Sequence, residues 1–340
     1  MSRSLRLAEY VREYGPNERR ILSHYSWFSL HRNEGFWVDI ESAIRRDGDV
    51  LSLRGFDRIY SHGMTSVALL CDYIRETRGV RPALLMPAVK WQAQELCKLN
   101  FDALDHDASF FFADSYALAR LEEEVEGIRK KAPAGYCRIT PDSAERLFRQ
   151  IDRYFGFPGF TVSEFTSDLG LPLWEGTENT KRLWNSLKDL ILNVLQHSSS
   201  RNLGGQGYFA LDVSPNRLHF TVADSGVGIR ESLSKRGIMA EDSENAIRDA
   251  LELRYRHKLS NTWEEGLFGV AEWVFAVGGK LLIRSADASV ELRSEAYGKF
   301  DRDRAYKWVC AQQLSRVTTG MKFGFGGVQV YFELEKAGDS

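Results

Sequence analysis

Cysteine is scarce in this chain, and what there is forms no pattern. Cys71, Cys97, Cys137 and Cys310 are scattered through 340 residues, with no Cys-x-x-Cys pair and no histidine at ligand spacing, which argues against a zinc site or a disulfide framework. Buried free thiols are the expectation. Long apolar runs are missing too. None approaches the roughly 20 residues of a membrane-spanning helix, and the start Met1-Ser2-Arg3-Ser4-Leu5-Arg6 lacks the apolar segment of a signal peptide. A cytoplasmic protein without membrane contact is expected. The third absence is an excess of one charge: 45 Lys+Arg against 47 Asp+Glu leave a net charge of -2. That balance gives no general pull toward nucleic acid or an anionic surface, and Arg19-Arg20 and Arg129-Lys130-Lys131 read as solvated faces.

What is present is the make-up of a soluble globular protein, 43% hydrophobic and 27% charged. The length allows two domains of ordinary size. Residues 1 to about 50 combine a charged amphipathic start with an aromatic patch, Tyr25-Ser26-Trp27-Phe28. From Val50 the pattern becomes α/β. A strand at Arg58-Ile59-Tyr60, a turn at Ser61-His62-Gly63 and a helix from Thr65 to Arg78 follow one another, with Val67, Leu70, Cys71 and Ile74 on one helical face. A strand at Ala83 to Met86 ends at Pro87, and a helix follows at Trp91 to Leu99. Alternating strands and helices predict a small parallel sheet. Phe110-Phe111-Phe112 reads as a buried strand, 130–135 as a linker, and Asp142 as the cap of a helix running to Tyr154. The boundary is placed near 135, giving domains 1–135 and 136–340.

The order in the first domain resembles a STAS domain, over a core of about 35–115. In that family a serine or threonine directly before the glycine of the strand-to-helix turn can be phosphorylated. Here His62 stands in the acceptor position, with Ser61 and Thr65 nearby.

Two polar clusters in the second domain make sense if they converge on one ligand. Leu187, Leu190, Ile191, Val194 and Leu195 carry the apolar stripe of a helix, and Asp189, Asn193 and His197 form a polar stripe beside it. Leu218, Phe220 and Val222 then alternate with His219, Thr221 and Ala223, which places Asp224 on the buried side of a strand. A carboxylate delivered there is costly unless a donor meets it. The turn Ser225-Gly226-Val227-Gly228 lets backbone approach a ligand closely. Later come Gly266 and Gly269, ahead of a helix at Ala271 to Val277, and strands at Lys280 to Arg284 and Val328 to Leu334.

Asp189-x-x-x-Asn193-x-x-x-His197 resembles the N-box of the GHKL ATPase and kinase family, and Asp224-x-Gly226-x-Gly228 is similar to its first glycine box. The resemblance implies a Bergerat-type α/β sandwich, a mixed sheet covered by helices, that binds ATP and Mg²⁺. It assigns nucleotide contacts to Asn193, His197, Asp224, Gly226, Gly228, Ile229, Gly266, Leu267, Gly269 and Lys258. Asn193 is the metal ligand, and Asp224 the acceptor for the adenine amino group. Asp189 stands where ATPase members carry a water-orienting glutamate, one methylene longer. Gly326-Gly327 stands where the family commonly shows Gly-Thr, with Val328 in place of the threonine, so a hydroxyl contact beside the adenine is missing or supplied elsewhere, by Thr318 or Thr319. The interval 230–265 corresponds to a lid, expected to be polar and mobile, with Arg256 or Lys258 meeting the γ-phosphate.

Three outputs are compatible with these residues. One is an ATP-binding regulator whose lid closure controls a protein partner, either a regulator or a STAS-type protein, with slow hydrolysis and a homodimer both allowed. The second is a serine/threonine protein kinase of the anti-sigma-factor type. A degenerate histidine kinase ranks third, because His24, His31, His62 and His106 lie in no heptad helix ahead of Asp189.

Overall fold

The computed structural model describes residues 4–6, 27–28, 50–52, 58–59, 65, 67–69, 71–72, 79, 83–85, 109–112, 136–140, 143–145, 147–148, 177–197, 207–214, 217–256, 266–286, 288–295, 297, 300–312 and 327–335. The chain divides into two compact units, Met1–Cys137 with Thr319–Phe323, and Arg138–Thr318 with Gly324–Ser340. Among the described residues no helix is long and apolar enough to cross a membrane.

In the first unit the strands are β1 (Ser4–Arg6), β2 (Trp27–Phe28), β3 (Val50–Ser52), β4 (Arg58–Ile59), β5 (Ala83–Leu85) and β6 (Ser109–Phe112). Four of them form a parallel sheet in the order β1-β6-β5-β3, the arrangement expected of alternating strands and helices. Helical residues between β4 and β5 bury Val67, Ala68, Leu69 and Cys71. The strand ahead of the Ser61-His62-Gly63 turn departs from the expectation. It is β4, which pairs with β2 in a separate two-stranded ladder, so the strand that carries the STAS resemblance is not a member of the four-stranded sheet. The helix expected at Trp91 to Leu99, the linker at 130–135, and Thr318 and Thr319 lie outside the described residues.

The second unit begins with β7 (Tyr136–Ile139). A helical stretch follows that is capped by Thr140: the Ser143 amide donates to Thr140 Oγ1 at 3.1 Å, and the Thr140 amide donates back to Ser143 Oγ at 2.8 Å; Asp142, the expected cap, lies outside the described residues. This reciprocal pair works as a capping box. Then come α1 (Thr177–His197), β8 (Gly207–Ser214), β9 (Arg217–Asp224), α2 (Gly228–Ser234), α3 (Ser243–Arg256), α4 (Gly266–Val277), β10 (Gly279–Ser285), β11 (Ala288–Ser294), α5 (Arg302–Ala311) and β12 (Val328–Glu335). Aspartates cap two of these helices. Asp242 Oδ1 accepts from the Asn245 amide at 2.7 Å and Asp301 Oδ1 from the Arg304 amide at 3.0 Å.

A six-stranded sheet runs β11-β10-β12-β9-β8-β7. Where a mixed sheet was expected, the described pairings from β8 to β11 are all antiparallel. Two tight connections enforce this: Ser214 pairs with Arg217 and Ser285 with Ala288, and loops of two residues can join only antiparallel neighbours.

The central element is α4. Every residue in it except Leu267 is buried, as an apolar sequence without a polar face requires. It touches α1, α3, α5, β10 and β11. Trp273 of α4 meets Phe332 of β12 edge-on at 5.6 Å, and Phe332 stacks on Phe220 of β9 at 4.9 Å. Phe268, Phe275 and Ala305 extend this core toward α5, with Tyr306 and Trp308 against it.

Helix α4 also begins earlier than its sequence pattern implies. Gly266 and Gly269 belong to it, whereas a start at Ala271 was expected. A glycine inside a helix costs about 1 kcal/mol relative to alanine, and the burial of Phe268, Val270, Trp273 and Val274 outweighs that.

The lid interval likewise differs from a polar strip with little to hold it down. Its described part is α2 and α3, which touch each other and bury Leu233, Ala240, Ala246, Ile247 and Leu251. Residues 257–265, Lys258 among them, lie outside the described residues. Of the four cysteines, Cys71 is a buried free thiol as expected, whereas Cys310 is free and exposed on α5.

Candidate functional site

Strand β9 carries Phe220, Val222 and Asp224 to one face of the sheet, and all three are buried. Asp224 is 7% exposed, and its Oδ1 accepts from the Gly226 amide at 2.7 Å. That local bond closes the turn out of the strand, as short acidic side chains do. Gly228 opens α2 with φ 81°. Directly after it the Ile229 amide donates to Ser285 Oγ at 2.9 Å, tying the turn to the end of β10. The neighbouring backbone is equally close. A Cβ on Gly327 would overlap the Asp224 carbonyl oxygen, and one on Gly207 would overlap the Val194 side chain, so glycine is demanded at both positions by space.

Helix α1 lies on the same face. Leu187, Leu190, Ile191 and Val194 are buried, and Asp189 and Asn193 are half-buried beside them, which is the two-stripe arrangement read from the sequence. Asp189 is engaged across the core: its Oδ2 accepts from the Gly266 amide at 3.1 Å. A carboxylate at the start of α4 satisfies one of the amides that lack an intrahelical partner and faces the positive end of the helix dipole.

Between these elements lies a cavity of about 140 Å³. Leu190, Asn193 and Val194 of α1 form one wall, and Val222, Asp224, Val328 and Val330 of the sheet form the floor. Gly228, Ile229, Ser232 and Leu233 of α2, with Arg236 just beyond it, line the other side; Ala250 of α3 and Leu267 of α4 close it. An apolar cavity of about 150 Å³ takes up a benzene ring, so this one suits a single flat aromatic system. Its polar groups are few and separated: a buried carboxylate, an amide, a hydroxyl and a guanidinium. That pattern of apolar walls with placed polar groups is the ordinary form of a small-molecule site.

Five of the residues singled out by the sequence therefore line one cavity: Asn193, Asp224, Gly228, Ile229 and Leu267. Gly226 supports Asp224 from the turn. Asp189 and Gly266 bind each other and do not line it, and Gly269 is buried inside α4. His197 ends α1, but its side chain is outside the described residues. Sequence reasoning missed Ser232, Ser285 and Arg236. A signal existed for Ser285, which shares the parity of buried Leu281 and Ile283.

Arg284, next to Ser285 on the opposite face, is desolvated by burial, which lowers its guanidinium from the ordinary arginine range to about 9. It stays protonated at neutral pH. Among the described residues no group of three or more His, Cys, Asp or Glu side chains could hold a metal ion. A hard cation here fits only as a shared one, taking the Asn193 carbonyl oxygen and completing its shell with ligand oxygens and water. No family model matches the chain, and no curated protein matches it either.

Proposed function

We propose that this cavity binds an adenine nucleotide with Mg²⁺, and that its occupancy controls a protein partner of a cytoplasmic regulator. The observation that carries the reading is convergence. Asn193 and Asp224, which belong to two separate motifs on a helix and a strand, face the same cavity. Asp224 suits the exocyclic amino group of the base, because a carboxylate offers about four acceptor sites and the Gly226 amide uses one of them. Val222, Val328, Val330 and Leu190 give the ring apolar contact. Asn193 offers a neutral oxygen to Mg²⁺, and the bound metal would offset phosphate charge.

Control of a partner is favoured over rapid hydrolysis by the state of Asp189. Its carboxylate is held on the Gly266 amide, and it is one methylene shorter than the water-orienting glutamate of the GHKL ATPases it resembles. Helices α2 and α3 supply the route outward, since α2 lines the cavity and α3 packs against it. In this reading the moving part is the helical pair α2 and α3 within the interval 230–265. The first unit, with its parallel sheet, serves as a STAS-like partner domain. Transfer of label from ATP to a serine of a STAS-type protein would shift the output to the kinase alternative.

The test is calorimetry on Asp224→Asn. An amide keeps one acceptor oxygen and turns a donor toward the base, so adenine nucleotide binding should be lost. Unchanged ATP affinity in a folded Asp224→Asn protein would sink the assignment.

A further inference from the structure

We infer that Arg236 is the side chain that reads the anionic end of the ligand, in place of the α4 N-terminus. This rests on the nucleotide reading above and names the phosphate contact within it. The amide at the start of α4 would be the obvious anion site, but Asp189 Oδ2 already occupies it at 3.1 Å. A phosphate approaching there would meet a carboxylate, and like charges repel. The opposite wall presents cations instead. Three of them belong to α2 or its end, and two are engaged: Arg230 Nη2 donates to the Glu241 carbonyl at 3.0 Å, and Lys235 Nζ pairs with Glu231 at 3.3 Å. Arg236 is the third. It is exposed, its guanidinium has no partner among the described residues, and it alone of the three lines the cavity.

Its backbone is fixed by the turn that closes α2. The Gly237 amide donates to the Ser234 carbonyl at 2.9 Å and the Ile238 amide to the Leu233 carbonyl at 3.1 Å, the paired bonds of a Schellman close. Gly237 has φ 79°, the left-handed conformation that this close requires and that glycine adopts without strain. Arg236 therefore sits at the carbonyl end of α2, where the helix dipole favours a cation. A cavity with a buried carboxylate on its floor and a rigidly based guanidinium on its wall selects a ligand that carries a donor on a flat ring and an anion on a tether. That is a nucleotide rather than a nucleoside, and the planar fork of arginine matches two phosphate oxygens.

Titration calorimetry with adenosine, ADP and ATP in EDTA, on the full chain and on Arg236→Ala and Arg236→Lys, tests this. The preference for ATP over adenosine should fall about tenfold in Arg236→Ala, the scale of a charge-assisted hydrogen bond at an open site, and less in Arg236→Lys. In Asp189→Asn the preference should stay unchanged. An ATP-to-adenosine ratio unchanged by Arg236→Ala overturns the inference, as does an equal loss for all three ligands, which would mark a structural role. A preference that rose in Asp189→Asn, the carboxylate's repulsion removed, would place the phosphate beside α4 and overturn it as well. If the parent protein bound none of the three ligands, the nucleotide reading itself would fail first and take this inference with it.

Discussion

The two faces of the six-stranded sheet are made by the same strands and solve opposite problems. On one face Phe220, Val222, Val330 and Phe332 pack with α1 and α4, and at the strand ends Asp224 lines the cavity while Ser285 accepts from the Ile229 amide beside it. On the other, polar groups are buried along the strands. His219 pairs across to Glu333, Tyr331 Oη donates to Glu333 Oε2 at 2.8 Å and lies 3.3 Å from His219 Nδ1, and Lys280 Nζ lies 3.9 Å from both Glu291 and Glu333. Glu291 also takes Arg293. The difference is in how each polar group is satisfied. On the second face side chains answer one another across the strands, whereas at the cavity Asp224 takes the amide of its own turn and the Ile229 amide donates to Ser285 beside open space. A face whose polar side chains mostly engage one another, with the buried Thr221 hydroxyl left without a hydrogen-bond partner among the described residues, has less to offer a ligand than the face whose separated groups border a cavity.

That contrast predicts where truncation hurts most. Phe332→Ala should cost about 3–5 kcal/mol in urea unfolding, as removal of a fully buried phenylalanine does, because its ring holds Phe220 and Trp273 together. A loss below about 1 kcal/mol would mean that this face is not the structural core. Tyr331→Phe, one position away on the other face, should cost less, about 1–2 kcal/mol. It keeps the ring and removes only the hydroxyl between His219 and Glu333. If the hydroxyl loss matched the phenylalanine loss, the polar network would be the larger stabiliser and the comparison would reverse.

Much of the apolar face was legible in the sequence because its period is simple. Alternation located β9, β10 and β12, the parity of Asp224 foretold its burial, and the stripe on α1 foretold Leu187, Leu190, Ile191 and Val194. What escaped detection lacked a period or depended on distance along the chain. Tyr208, Phe209 and Ala210 of β8 are all buried in succession, so no alternation betrays that strand. The glycines of α4 read as a loop because propensity is local and burial is not. In the interval read as polar, nothing local told that Ala246, Ile247 and Leu251 of α3 would be buried. The partners of His219 become visible only with the register that sets Glu333 opposite it. Asp189 was legible as part of a polar stripe, but its partner, Gly266, lies on an element whose start the sequence misplaced.

The smallest expected effect belongs to Ser285→Ala, which probes the link between the sheet and the cavity. Ile229 is in the first turn of α2, where an amide has no intrahelical acceptor, and Ser285 Oγ supplies one at 2.9 Å. Removing an acceptor from a buried amide costs about 1–3 kcal/mol, but the cavity opens beside Ile229 and a water can take the place of the hydroxyl. The loss in stability should therefore be near the lower limit, about 1 kcal/mol. The effect at the site should be more visible than the effect on the fold. Without its tie to β10 the Gly228-Ile229 turn is freer to open, so hydrogen exchange at the Ile229 amide should accelerate while amides in the middle of β9 keep their protection. Ligand affinity should then fall several-fold, because the turn must be reordered on binding. Exchange at Ile229 as slow as in the parent protein would show that Ser285 does not hold the turn and that the cavity keeps its shape through packing alone.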